Sequence, residues 1–198
     1  MSCAVSAATY ELNLDEDDSF TWEVTELNHY AFEKTFGFEP DFEEGDQTRR
    51  TIREIDEYTD GWTLTVEFWD FDDKFDEDGA IIYDEVFEDP ENYEDNIFVP
   101  TPVNDYLAEL PDVDSSYVVD GLRVTKRGTD YDMIKEYDDR GVLVREEFID
   151  DDEIVLVRIE ATFRIIPAAG FQEIIGFTVI ALISIIIYMI KKKKFIFS

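Results

Sequence analysis

Seventeen uncharged residues, Ile174 to Ile190, run without interruption into Lys191-Lys192-Lys193-Lys194. At the α-helical rise the run spans roughly 26 Å, and counted from Phe171 roughly 30 Å, about one hydrocarbon core. A helix buried in a protein core would show a polar stripe over that length. The run therefore reads as one transmembrane helix over 172–190, with a five-residue linker, 167–171, before it and a basic tail, 191–198, after it.

Orientation follows from the lysines. Basic residues abutting an apolar span favour the cytoplasmic side, so Lys191, Lys192, Lys193 and Lys194 are expected inside and the N-terminal domain outside. Membrane lipid is thus the first expected partner, with the lysines facing anionic headgroups. Export calls for a leader. Met1–Ala8 (MSCAVSAA) has the small residues of a cleavage site but neither a basic nor an apolar segment, so 1–8 reads as a signal-peptide remnant and an apolar segment is expected upstream. A lipid-modified Cys3 is an alternative. The competing topology is a tail anchor with a cytoplasmic N-terminal domain, which places the four lysines on the disfavoured side.

Residues 1–170 carry 13 basic and 48 acidic side chains, net −35. Such a surface repels a polyanion, which excludes non-specific nucleic-acid binding. Disorder is the other reading of strong acidity, but the 12 Phe, 9 Tyr and 3 Trp within 9–166 provide a core for one acidic domain there. One cysteine excludes a disulfide framework and a cysteine-based zinc site.

Period-two alternation dominates that domain. Val155, Val157, Ile159, Ala161, Phe163 and Ile165 are apolar against Arg158, Glu160, Thr162 and Arg164. Trp62–Phe68 and Phe20–Val24 alternate likewise. Asp60-Gly61 reads as a hairpin turn between Ile52–Tyr58 and Trp62–Phe71. Turns at Arg127-Gly128, Asp139-Arg140-Gly141 and Asp150-Asp151-Asp152 divide Tyr117–Ile165 into an expected four-stranded antiparallel meander. One helix is signalled by Thr101 as cap, Pro102 in the first turn, and Val103, Tyr106, Leu107 and Leu110 on one face, with Pro111 as the stop. A second is indicated at His29–Phe36. The predicted fold is α+β and β-rich: a twisted antiparallel sheet, half-barrel or sandwich, with one or two short helices and one C-terminal transmembrane helix.

Little in the chain resembles a catalytic set. His29 is the only histidine, which excludes a multi-histidine metal site within one chain, and its setting reads as structural or surface. No Gly-rich phosphate loop occurs. Forty-nine acidic residues offer many carboxylate pairs and no basis for choosing one. The expectation is a non-enzyme without a cofactor, with calcium as the one alternative.

That alternative rests on Asp76-Glu77-Asp78-Gly79-Ala80-Ile81-Ile82-Tyr83-Asp84-Glu85, which resembles positions three to twelve of an EF-hand loop. Asp76 and Asp78 precede Gly79 at the right spacing, Ile81 takes the apolar place, and Glu85 occupies the final bidentate place. Lys74 stands where the first ligand should be, and the flanks read as strands. The competing reading is an acidic hairpin loop.

The tail resembles that of archaeal surface proteins with a C-terminal sorting or anchoring signal, in which Pro-Gly-Phe precedes an apolar helix and a basic end. Here Pro167-Ala168-Ala169-Gly170-Phe171 has two alanines between the Pro and the Gly, and the resemblance ends with the tail. Upstream, Tyr137–Leu143 resembles a segment of small archaeal ectodomains, and the strand arrangement is similar to lipoprotein-carrier half-barrels. These likenesses imply a single-pass cell-surface protein in a structural or binding role, and the acidic charge fits a cationic or calcium-bridged envelope partner. The alternatives are a carrier for a lipid or hydrophobic ligand and an envelope hydrolase. A carrier needs an apolar groove between sheet and helix; a hydrolase needs two converging carboxylates.

Overall fold

The alternating segments form nine strands: β1 (Ser19–Leu27), β2 (Gln47–Tyr58), β3 (Gly61–Trp69), β4 (Ala80–Phe87), β5 (Tyr117–Asp120), β6 (Arg123–Arg127), β7 (Tyr131–Tyr137), β8 (Leu143–Asp150) and β9 (Val155–Ala161). Helices α1 (His29–Phe36) and α2 (Val103–Val113) and a 3₁₀ turn at Pro90–Asn92 complete the described secondary structure. The computed structural model describes residues 9–71, 75, 78–94 and 96–162. The chain divides into one unit over Met1–Phe163 and another over Arg164–Ser198. The second unit, with the apolar run and Lys191–Lys194, lies outside the described residues, as does the expected signal remnant. Among the described residues no helix is long and apolar enough to cross a membrane.

All nine strands belong to one antiparallel sheet in the order β4-β3-β2-β1-β9-β8-β7-β6-β5. Two meanders, β1–β4 and β5–β9, are joined where β1 pairs with β9, so the first and last strands sit at the centre. The sheet curls. Side chains from β2, β4, β7 and β8 line one cavity of about 320 Å³. In a flat sheet β4 and β7, six strand spacings apart, would stand roughly 29 Å from each other, far beyond such a cavity.

The inner face carries the apolar phase. Trp22, Ile52, Leu64, Val66 and Val86 pack with Phe98 and Val142 in one cluster. Tyr106, Leu107 and Leu110 of α2 pack on Tyr117, Val124, Tyr137 and Leu143 in a second. Each fully buried leucine contributes roughly 1.5–3 kcal/mol of transfer free energy. A third cluster joins Phe32 of α1 to Val24, Leu27 and Val157, with Phe36 and Phe148 packed against it. Helix α1 begins where the Asn28 side chain accepts from the Ala31 N–H, and it ends at Gly37, whose φ is 79°.

Three expectations need correction. Tyr117–Thr125 is two strands, because Asp120-Gly121 turns the chain, and the C-terminal meander has five strands rather than four. Thr101 does not cap α2: its hydroxyl donates to the Glu11 carbonyl, and the N-cap is Pro102 without a side-chain hydrogen bond. Pro111 does not stop α2, which runs to Val113. Proline's fixed φ suits a helix, and at the last turn its missing N–H forfeits a single backbone bond.

Candidate functional site: a charged cavity on the inner face

Four charged residues occupy positions where strand alternation calls for apolar ones. Arg50 is in phase with Ile52, Asp84 with Ile82 and Val86, Lys135 with Met133, and Glu146 with Phe148. Their side chains therefore point to the core face, and all four line the 320 Å³ cavity, together with Asn96 and Phe98. Arg50 Nη1 donates to Asp84 Oδ2, and Lys135 Nζ lies 3.2 Å from Glu146 Oε1. Lys135 is 5% exposed and Arg50 17%. Buried charge of this kind is retained only when paired.

Local sequence positions each partner. Lys135 and Glu146 are directly opposite in the β7–β8 register. Arg50 faces Phe68 across β2–β3 and lies over its ring at 5.0 Å, which holds the guanidinium above β3 towards β4. Asn96 and Phe98 belong to the segment that closes the cavity. That segment is fixed where Phe98 bridges Val142, Leu143 N–H donates to Ile97 O at 2.9 Å, and Tyr137 Oη donates to Asn96 O at 2.6 Å. Gly141 has φ of 85°, and a Cβ there would fall on the Val99 carbonyl, so only glycine allows the corner to approach the segment.

The pairs leave hydrogen-bonding capacity over. Arg50 has five N–H donors, and among the described residues one is used. Asp84 Oδ1, Glu146 Oε2 and the Asn96 side-chain amide have no hydrogen bond to the described residues. The cavity thus presents donors and acceptors side by side.

A second electrostatic feature lies on the outer face. Register places Arg123, Glu136, Arg145 and Glu160 in a row across β6, β7, β8 and β9, with charged atoms 3.7–3.9 Å apart. A second row joins Glu147, Arg158 and Glu26 at 2.7 and 2.6 Å. Arg145 links the rows at 2.6 Å to Glu147, whose side chain is 4% exposed. Hydrogen bonds to Glu147 hold Arg158 above the usual guanidinium range. Beyond them, Arg49 is stacked between Trp69 and Phe75 at 3.9 and 4.4 Å, and burial pushes its pKa down.

Of the EF-hand-like residues, the described Asp78 and Glu85 lie apart. Asp76 lies outside the described residues, and Asp78 is exposed ahead of β4. Glu85 is on β4 opposite Thr63. Extended backbone sets Glu85 roughly 17 Å beyond Ala80, whereas two ligands of one ion must converge on it. Gly79 serves close packing instead: a Cβ there would lie 2.7 Å from the Phe68 carbonyl and 2.8 Å from the Trp69 ring. Glu85 does line the charged cavity, which brings it near Asp84 and Glu146 rather than Asp78. Among the described residues no group of three or more His, Cys, Asp or Glu is arranged to hold a metal.

The acidic runs at Asp15–Asp18 and Asp150–Asp152 serve as turn chemistry. Asp150 Oδ1 accepts from the Asp152 and Ile154 N–H groups at 3.0 and 2.8 Å. Asp18 accepts from Asp15 N–H and pairs with Arg140. His29, at the start of α1, is exposed and lies 2.9 Å from Glu43 Oε2. No protein family, curated protein or solved structure matches this chain.

Proposed function

We propose that this is a single-pass, membrane-anchored cell-surface protein whose acidic half-barrel domain has a structural or binding role at the envelope. In this reading the apolar run 174–190 is the anchor, the lysines after it lie in the cytoplasm, and 9–166 face outward. The observation that carries the binding role over the carrier and the hydrolase is the content of the inner face. The space between the sheet and α2 is filled by Tyr106, Leu107 and Leu110, all buried, whereas a lipid carrier needs that space empty and apolar. The open part of the curl is charged. Asp84 and Glu146 share it, but each is salt-bridged to a cation. A general acid–base pair instead calls for carboxyl environments that drive their two protonation states apart.

Exported protein truncated after Thr162 tests the anchor. The full chain should stay with membranes through alkaline carbonate washing, and the truncated chain should be released. Release of the full chain by that wash would refute anchoring.

A further inference from the structure

We propose that the charged cavity between β2, β4, β7 and β8 is a binding site for a small zwitterion, a molecule carrying one carboxylate and one ammonium such as a free α-amino acid. This rests on the binding half of the reading above and not on membrane placement.

The ligand class follows from what the lining leaves unfilled. Arg50 keeps four N–H donors that no described residue takes, on a guanidinium still partly open to the cavity. A carboxylate is the acceptor that matches that fork. Asp84 Oδ1 and Glu146 Oε2 are acceptors without a described partner, and an ammonium with three donors fits between them. The Asn96 amide can serve either group. An inorganic or organic anion alone fits poorly, because Asp84, Glu85 and Glu146 outnumber Arg50 and Lys135 around the cavity. A simple cation fits no better, since it would approach a guanidinium and a buried ammonium while leaving the Arg50 donors unmet. Only a ligand of both signs satisfies both halves at once. A volume near 320 Å³ stands at the small end of ligand pockets, which limits the guest to amino-acid size.

Placement supports the assignment. The four charges come from four strands, and each sits at a position where an apolar residue would extend the neighbouring cluster. A well-packed apolar replacement of a buried ion pair is often neutral or stabilising, so packing alone does not account for two such pairs opening on one cavity.

Calorimetric titration of the detergent-solubilised full chain tests the site. The probes are L-serine, L-glutamine and L-phenylalanine, with ethanolamine and calcium chloride as cation controls and glycolate as the anion control. At least one zwitterion is expected to bind with a Kd in the millimolar range or tighter, and each single-charge control at least about tenfold more weakly. Arg50→Gln and Glu146→Gln should each weaken the zwitterion about tenfold or more. The second variant keeps the test open if the first does not fold. Absence of zwitterion binding to roughly 10 mM, equal binding of glycolate or ethanolamine, or unchanged affinity in the folded variants would overturn the proposal. None of these outcomes bears on the carbonate wash.

Discussion

Removing Glu147 should destabilise a protein that carries far too many acids, and this reversal of the net-charge expectation is a sharp test of the outer-face ladder. On net charge alone, deleting any carboxylate from a domain at −35 should stabilise it. Glu147 is different because its carboxylate is buried and accepts from Arg145 Nη2 at 2.6 Å and Arg158 Nη2 at 2.7 Å. Breaking a buried pair by removing one partner costs about 3–5 kcal/mol. Here both arginines are about a quarter exposed and keep Glu26, Glu136 and Glu160 nearby, so the cost is discounted to about 2–3 kcal/mol. The opposing relief is small, since a charge 10 Å away is worth about 0.4 kcal/mol in water before screening. Urea unfolding of the solubilised full chain, followed by fluorescence of Trp22, Trp62 and Trp69, reads the difference. Glu147→Ala should lose about 2–3 kcal/mol and Glu147→Gln about 1–2, with the loss smaller at high salt. The control Glu33→Gln, on an exposed helix position, should be neutral or slightly stabilising. If Glu147→Ala matches Glu33→Gln, the Glu147 pairs with Arg145 and Arg158 do not stabilise the fold.

Further expectations follow from the core and from pH. Leu107→Ala, at a fully buried position on the core face of α2, should cost about 2–5 kcal/mol by the same unfolding assay without changing the urea dependence. Trp22→Phe removes the Nε1–H bond to the Leu143 carbonyl at 2.7 Å and should cost about 1–3 kcal/mol, read by circular dichroism melting. Gly141→Ala combines a left-handed φ with a collision at Val99, and should lower the melting temperature more than Gly37→Ala, where φ is 79° but space is open. The hydrogen bond from Arg53 holds Glu67 below the usual carboxylate range. The unfolded chain therefore takes up its proton first as pH falls, so the contribution is intact above about pH 5 and lost through the acid range below about pH 4. Glu67→Gln should flatten that part of a stability–pH curve, by an amount limited because Arg53 is 45% exposed.

Much of the fold is legible where a signal is local. The Asn28 cap and Gly37 end bound a helix at His29–Phe36, and Asp60-Gly61 places the β2–β3 hairpin at Tyr58 opposite Gly61. Asp120-Gly121 is an equally local hairpin signal, but it is embedded in a valine-rich alternating run whose continuity masks the turn. The β1–β9 pairing is not legible, because it joins segments more than a hundred residues apart and no local pattern encodes it. The charged cavity was hidden for the same reason: its residues come together only once the sheet curls. A signal for it exists nonetheless. Lys135, in phase with Met133, and Asp84, between Ile82 and Val86, break the apolar phase of their strands, and an in-phase charge marks an inward-facing polar site. The EF-hand spacing is a pattern of sequence alone, and among the described residues Ala80–Phe87 is extended and carries Glu85 away from Asp78.

The proposed topology puts the acidic domain outside and the lysine tail inside. Labelling of intact cells with a membrane-impermeant amine reagent, mapped by peptide mass spectrometry, tests it directly. Lys34, exposed on α1, should be modified in intact cells, and Lys191–Lys194 only after lysis. Modification of the tail lysines in intact cells with Lys34 protected would place the acidic domain inside instead.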